Sequence, residues 1–136
     1  MNRHESYVSL ELAKILKTAR FDWVVNSRWE NWNLYPKDKD FFLNTNLGEY
    51  ENINETGGFC AFSAPTLAVA QRWLREEKYV DVLVEKRFCA YVYSLGNLDD
   101  RSEKVIPQMS VGYDTYEQAL EAGIQKCLTI ILNKTK

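Results

Sequence analysis

The sequence predicts an α+β fold, a small and mostly antiparallel sheet packed by about three helices in the order α-β-α-β-β-(β)-α. Three observations carry that prediction. Apolar residues recur at three- and four-residue spacing near both ends of the chain, in "SLELAKILKTA" and "TYEQALEAGIQKCLTIIL". A shorter run of the same period follows Ala64-Pro65, and between the runs "YVDVLVEKRFCAYVYSL" alternates as a hairpin does.

The first helix spans about Ser9 to Ala19. Ser9 can cap its first turn, and Val8, Leu12, Ile15, Leu16 and Ala19 share a face that Glu11, Lys14, Lys17 and Thr18 avoid. Phe21 and Trp23 flank Asp22 in an extended exit. From Asn26 to Gly58 the period dissolves into Asn, Asp, Glu and Lys between aromatic islands, which predicts loops with one or two short strands. "YPKDKDFF" reads as a solvated turn entered through Pro36, "NETGG" as a second turn, and "GFCAFS" as a buried strand at about Phe59 to Phe62.

Ala64 and Pro65 are expected to open the second helix, because proline is tolerated in a first turn where its missing N–H would be unpaired anyway. Leu67, Ala70, Trp73 and Leu74 form its inward stripe. In the hairpin Val80, Val82 and Val84 line one face and Asp81, Leu83 and Glu85 the other, with a turn at Glu85 to Arg87 and a return strand from Phe88 to Leu95. "GNLDDRSEK" is a polar loop, and a third strand at Val105 to Val111 would be an edge or a bulge because Pro107 lacks an N–H. The last helix opens with Thr115 and Gln118 in a capping-box pattern; Gly123, inside its apolar stripe, predicts a close approach by a neighbour.

The segments "APTLAVAQRWLREEKYVDVLVEKRFCAYVYSL" and "YDTYEQALEAGIQKCLTIIL" resemble a group of small proteins carried by gut bacteria and by their phages or other mobile elements. The likeness lies in the "APT" turn, a helix ending near "WLRE", a hairpin, and a terminal helix introduced by Tyr-Glu-x-Ala-Leu. It covers roughly the second half of the chain and implies no activity. One departure lies in the first half: Ala19-Arg20-Phe21 stands where the resembling proteins tend to have a glycine before the phenylalanine.

At 136 residues the chain suits one core, so a single globular domain over residues 1–136 is expected, with residues 1–7 and 134–136 as mobile tails. Its 46% hydrophobic and 26% charged residues are ordinary for a soluble protein, and a net charge of −2 lacks the basic surplus that nucleic-acid binding rewards. The stretch from Pro65 has the element order of a double-stranded RNA-binding domain, yet "DTYEQALEA" is acidic where that fold needs lysines. No apolar run is long enough to cross a bilayer and no secretory leader is evident, so a cytoplasmic location is expected.

The single histidine, His4, lies in a tail, so a histidine-dependent nucleophile is not expected. Cys60, Cys89 and Cys127 are odd in number and far apart, which suits buried free thiols better than a metal site. "ETGGF" lacks the lysine of a phosphate loop. Neither cofactor nor metal is expected. Carboxylate groups at Asp38 with Asp40, Asp81 with Glu85, and Asp99 with Asp100 and Glu103 read as solvated surface.

What stays unabsorbed is "FDWVVNSRWENWNLYP", which holds three of the four tryptophans. Trp23, Arg28, Trp29, Trp32 and Tyr35 form an aromatic, Arg-bearing set of the kind that protein interfaces favour. The sequence therefore predicts a non-enzymatic, intracellular protein-interaction domain, phage- or mobile-element-related, binding another protein or a second copy of itself through this region. The alternative is a small-molecule or nucleotide-handling enzyme with a cleft lined by these rings and by carboxylates of the Asp99 loop. A third reading, stacking on single-stranded nucleic acid, needs a basic groove around exposed rings.

Overall fold

The computed structural model describes residues 6–25, 27–31, 37–45, 54, 61–97 and 108–134. The chain is α+β, with three helices and small antiparallel sheets among the described residues. Its strands fall into two sheets, one in each of two compact units, the first built between Tyr7 and Thr66 and the second from Leu67 onward.

In the first unit, α1 spans Leu10–Thr18 with Ser9 as its cap, the hydroxyl accepting from the Leu12 N–H at 3.1 Å. Leu12, Ala13 and Leu16 are its buried face. The helix stops in a double hydrogen-bonded cap: Phe21 N–H donates to the Leu16 carbonyl at 2.9 Å and Arg20 N–H to that of Lys17 at 3.0 Å. This geometry requires a left-handed residue, and Arg20 supplies it at φ 66°. Glycine is the residue that adopts such a φ without strain. Phe21 is then buried.

Strand β1 (Arg28–Glu30) lies between β2 (Phe42–Asn44) and β3 (Ala61–Ser63), all antiparallel. Arg28 stands opposite Asn44 on one side and Ser63 on the other, and Glu30 opposite Phe42 and Ala61. Side chains tie this short sheet together. Asn54 donates to the Phe21 carbonyl at 3.0 Å and accepts from the Ser63 N–H at 2.9 Å, while Ser27 donates to the Ala64 carbonyl. The expected turn after Pro36 includes a single 3-10 turn at Asp38–Asp40; Pro36, residues 55–58 of the "NETGG" turn, and Phe59 with Cys60 of the expected strand lie outside the described residues.

In the second unit, α2 covers Leu67–Trp73 and continues as a π-helical turn, Leu74–Lys78, which ends on Tyr79 at φ 57°. The helix begins two residues later than the sequence suggests. Pro65 precedes it, its carbonyl accepting from Val8 N–H, and Thr66 bridges to Tyr7, so those residues stay extended. Trp73 is buried as its period predicts.

Strands β4 (Val80–Arg87) and β5 (Ala90–Asn97) pair along their whole length, and β6 (Gln108–Met109) adds to β5. The hairpin turn therefore sits at Phe88–Cys89, not at Glu85 to Arg87. The charged residues remain in the strand because they are satisfied there: Glu85 pairs with Arg87 at 2.9 Å, and Lys86 lies 5.8 Å from the centre of the Tyr91 ring across the ladder. Of the expected third strand, residues 105–107 lie outside the described residues.

Helix α3 (Tyr116–Lys134) opens with the capping box read from the sequence, Thr115 and Gln118 exchanging bonds at 3.1 and 3.2 Å. It crosses β4 and β5 at Gly123, where an added Cβ would stand 2.7 Å from Val82 and 2.9 Å from Tyr93. Leu120, Ile124, Cys127, Leu128 and Ile131 are buried along the same stripe.

Candidate functional site

Of the aromatic set, Trp29 is half-buried and its indole N–H donates to the Val8 carbonyl at 2.9 Å, which pins the strand to the residues before α1. Trp23 is half-buried, its ring 6.4 Å from that of Phe21. Trp32 and Tyr35 lie outside the described residues. Arg28 does not face outward as a free cation. It forms an ion pair with Glu30, a carboxylate 5% exposed, which also accepts from Asn44 Nδ2 at 3.1 Å. Alternation in β1 puts Arg28 and Glu30 on the face opposite Trp29, so the sheet separates the cation from that ring.

The carboxylate groups are engaged too. Asp38 pairs with Lys14, Asp40 accepts from the Lys37 N–H at 3.1 Å, and Asp81 stands 3.8 Å from Arg75. Asp99, Asp100 and Glu103 lie outside the described residues, as does His4. Among the described residues no three His, Cys, Asp or Glu side chains cluster as metal ligands would. Of the cysteines, Cys127 is buried, Cys89 is exposed against expectation, and Cys60 lies outside the described residues.

The site that the sequence hid is the tip of the β4–β5 hairpin. From Glu85 to Cys89 every residue is exposed, and Phe88 is 102% exposed, a full aromatic ring in water. Phe88, the first residue of this two-residue turn, also takes φ 57°, a backbone sign that glycine ordinarily supplies in such turns. A left-handed non-glycine residue costs roughly 1–2 kcal/mol. The turn offsets that cost by closing the β4–β5 ladder, but the ring itself buries no surface. The base of the hairpin, by contrast, is braced. Tyr91 meets Tyr116 edge-on at 6.3 Å, Tyr113 exchanges backbone bonds with Tyr91 at 2.7 and 2.9 Å, and Tyr93 stacks on Tyr113 at 6.3 Å. Burial, then the neighbouring Tyr113, raise the Tyr93 phenol above its ordinary pKa.

Between Met109 and Tyr113 the third strand gains one residue relative to β5, a bulge that leaves Val111 exposed and sets Gly112 against Ala90, where an added Cβ would lie 2.6 Å away. Beyond the bulge the chain and the first turns of α3 enclose an open cleft of about 430 Å³. Gly112, Tyr113 and Ala122 give it small and aromatic walls, and Asp114, Gln118 and Glu121 give it polar and acidic ones.

No protein family, curated protein or solved structure matches the chain. Local geometry alone therefore guides the functional reading. The tip could have been sought in the sequence through pairing parity: alternate apolar residues 80, 82, 84 and 91, 93, 95 meet across a hairpin only if the loop has an even number of residues. The residues of that loop, Phe and Cys, carry no turn chemistry, so nothing local marked the place.

Proposed function

We propose that the protein is a non-enzymatic, intracellular protein-interaction module whose point of contact is the Phe88 tip. The supporting observation is the pairing of two unfavourable features at one residue, a fully exposed aromatic ring and a left-handed backbone. The backbone of Phe88 serves the hairpin, but its fully exposed ring serves nothing in the packing, which points to a use outside the monomer. Lys86 and Arg87 beside the ring favour a partner surface with an apolar pocket and an acidic rim. The exposed thiol of Cys89, in no disulfide, accords with a reducing compartment.

This reading moves the contact from the Trp23 to Tyr35 segment to the hairpin. Trp29 and Arg28 are each held by the fold, whereas Phe88 is held by nothing. A photo-crosslinking residue placed at position 88 should trap a discrete protein adduct, and the same residue at Val24, 46% exposed in the other unit, should not. Equal trapping at both positions, or none at 88, would remove the reading.

A further inference from the structure

We infer that the partner is a second copy of this chain, which seats its Phe88 in the acidic cleft beside Tyr113. The inference rests on the reading of the hairpin tip as the point of contact, and goes beyond it by naming what the tip enters. Three features of the second unit carry it.

The first is chemical fit. The knob is an aromatic ring preceded by two cations, Lys86 and Arg87; the cleft has an aromatic wall at Tyr113, a small residue at Ala122, and Asp114 and Glu121 around it. At about 430 Å³ the cleft lies within the range of pockets that take organic groups of this size. The second is position. Tyr113 pairs with Tyr91, two residues along the ladder from the Phe88–Cys89 turn, so knob and cleft lie roughly 7 Å apart along the strand at the same end of the unit. A two-fold axis between them lets each copy fill the other's cleft, closing the contact as a dimer and not as a growing chain. The third is that the tip cannot satisfy itself. The ring of Phe88 is fully exposed, so it touches none of its own cleft.

In the dimer Arg87 would keep its partner Glu85 while approaching Asp114 of the second copy, and Lys86 would keep its place over Tyr91. The contact is small, one ring and its neighbours on each side. It is therefore a weak, concentration-dependent dimer that salt loosens.

Sedimentation velocity of the full chain over rising concentration tests it. A monomer–dimer equilibrium is expected, weakened at least tenfold by Phe88→Gly, a change that relieves the backbone and so leaves the melting temperature unchanged or higher. Arg87→Glu and Asp114→Arg should each weaken the dimer, and mixing the two variants should restore association between them. A chain monomeric at every concentration, a dimer indifferent to Phe88→Gly, or no recovery on mixing would overturn the inference. A crosslinker at position 88 that traps another protein and never a second copy would overturn the inference and leave the broader reading standing. No adduct of either kind would end both.

Discussion

The two units solve the same problem with different materials. From Leu67 onward the elements are long: two eight-residue strands and a nineteen-residue helix that meet through valine, leucine, isoleucine and a glycine contact. Between Tyr7 and Thr66 each strand has three residues, and the buried positions include Ser27, Glu30, Asn31 and Ser63. One unit is held chiefly by apolar area, the other to a large degree by side chains that bond across short gaps. A short strand offers few ladder bonds and little apolar face, so polar side chains must supply order that length supplies elsewhere. Such bonds depend on both partners, and the sharpest differences between the units should appear when one partner is removed.

The largest expected effect is therefore at Glu30. Glu30→Ala leaves Arg28 with its cation partly buried and its carboxylate partner gone, and removes the bond from Asn44 Nδ2. A broken buried pair costs about 3–5 kcal/mol, and the 28% exposure of the Arg28 side chain reduces this to about 2–4 kcal/mol. Glu85→Ala, which breaks a pair with both members about half exposed in the hairpin, should change stability by less than about 0.5 kcal/mol. Urea denaturation of the two variants measures the contrast directly. Equal effects would mean that the Arg28–Glu30 pair is no more than surface decoration. Replacing the pair together, Arg28→Met with Glu30→Leu, should recover most of the loss, because the cost lies in the orphaned charge.

Gly123→Ala tests the apolar unit in the same way. Alanine is the better helix former by about 1 kcal/mol, so propensity alone predicts a gain. The contact predicts a loss, because the new methyl would stand 2.7 Å from Val82 and 2.9 Å from Tyr93, both buried. Overpacking of a filled interior costs about 1–3 kcal/mol. A lower denaturation midpoint is therefore expected, and a higher one would show that α3 rides on the sheet more loosely than this geometry requires.

The same division decides what the sequence made readable. The three helices, their caps at Ser9 and Thr115, the inward stripe of α3 and the meaning of Gly123 all rest on period and capping chemistry, which are local. So does the existence of the hairpin. The site around Arg28 was not legible, because an arginine between aromatic residues looks the same whether it meets a partner protein or, as here, a glutamate two residues away on the same strand face. Nor was the place of the turn, since a phenylalanine in a position that favours glycine runs against every local preference. The element boundaries that shifted, the start of α2 and the end of β4, shifted for long-range reasons: a bridge to Tyr7 in one case and pairing to Ala90 in the other.

Arg20 and Phe88 allow the units to be compared on equal terms, because each holds a non-glycine residue at φ near 60°. At Arg20 the strain closes a helix and lets Phe21 enter the core, so glycine should keep the function of the cap and stabilise the fold. The left-handed penalty of roughly 1–2 kcal/mol, less the 0.5–1 kcal/mol that glycine adds in chain entropy, leaves a gain of about 0.5–1 kcal/mol. Thermal melts of Arg20→Gly and Phe88→Gly should both rise by the few degrees this implies for a chain of this size, while only the second should alter association. If both leave association untouched, the strain at Phe88 is as plainly structural as that at Arg20.

The smallest expected effect is a pH dependence confined to the second unit. Burial, and then the neighbouring Tyr113, raise the Tyr93 phenol above its ordinary pKa of 10.0. Above pH 10 the unfolded chain releases that proton while the folded chain keeps it, so the folded state binds more protons and stability must fall as pH rises. The loss begins near 10, continues until the folded phenol itself ionises, and is absent at neutral pH. Tyr93→Phe should flatten this part of the alkaline profile, measured as urea midpoints against pH. Tyr113→Phe should flatten it only in part, because the larger cause, burial, remains. An alkaline decline of the same size in Tyr93→Phe would assign it to other groups, and would mean that the base of the hairpin admits water where the packing of Tyr93 on Tyr113 closes it.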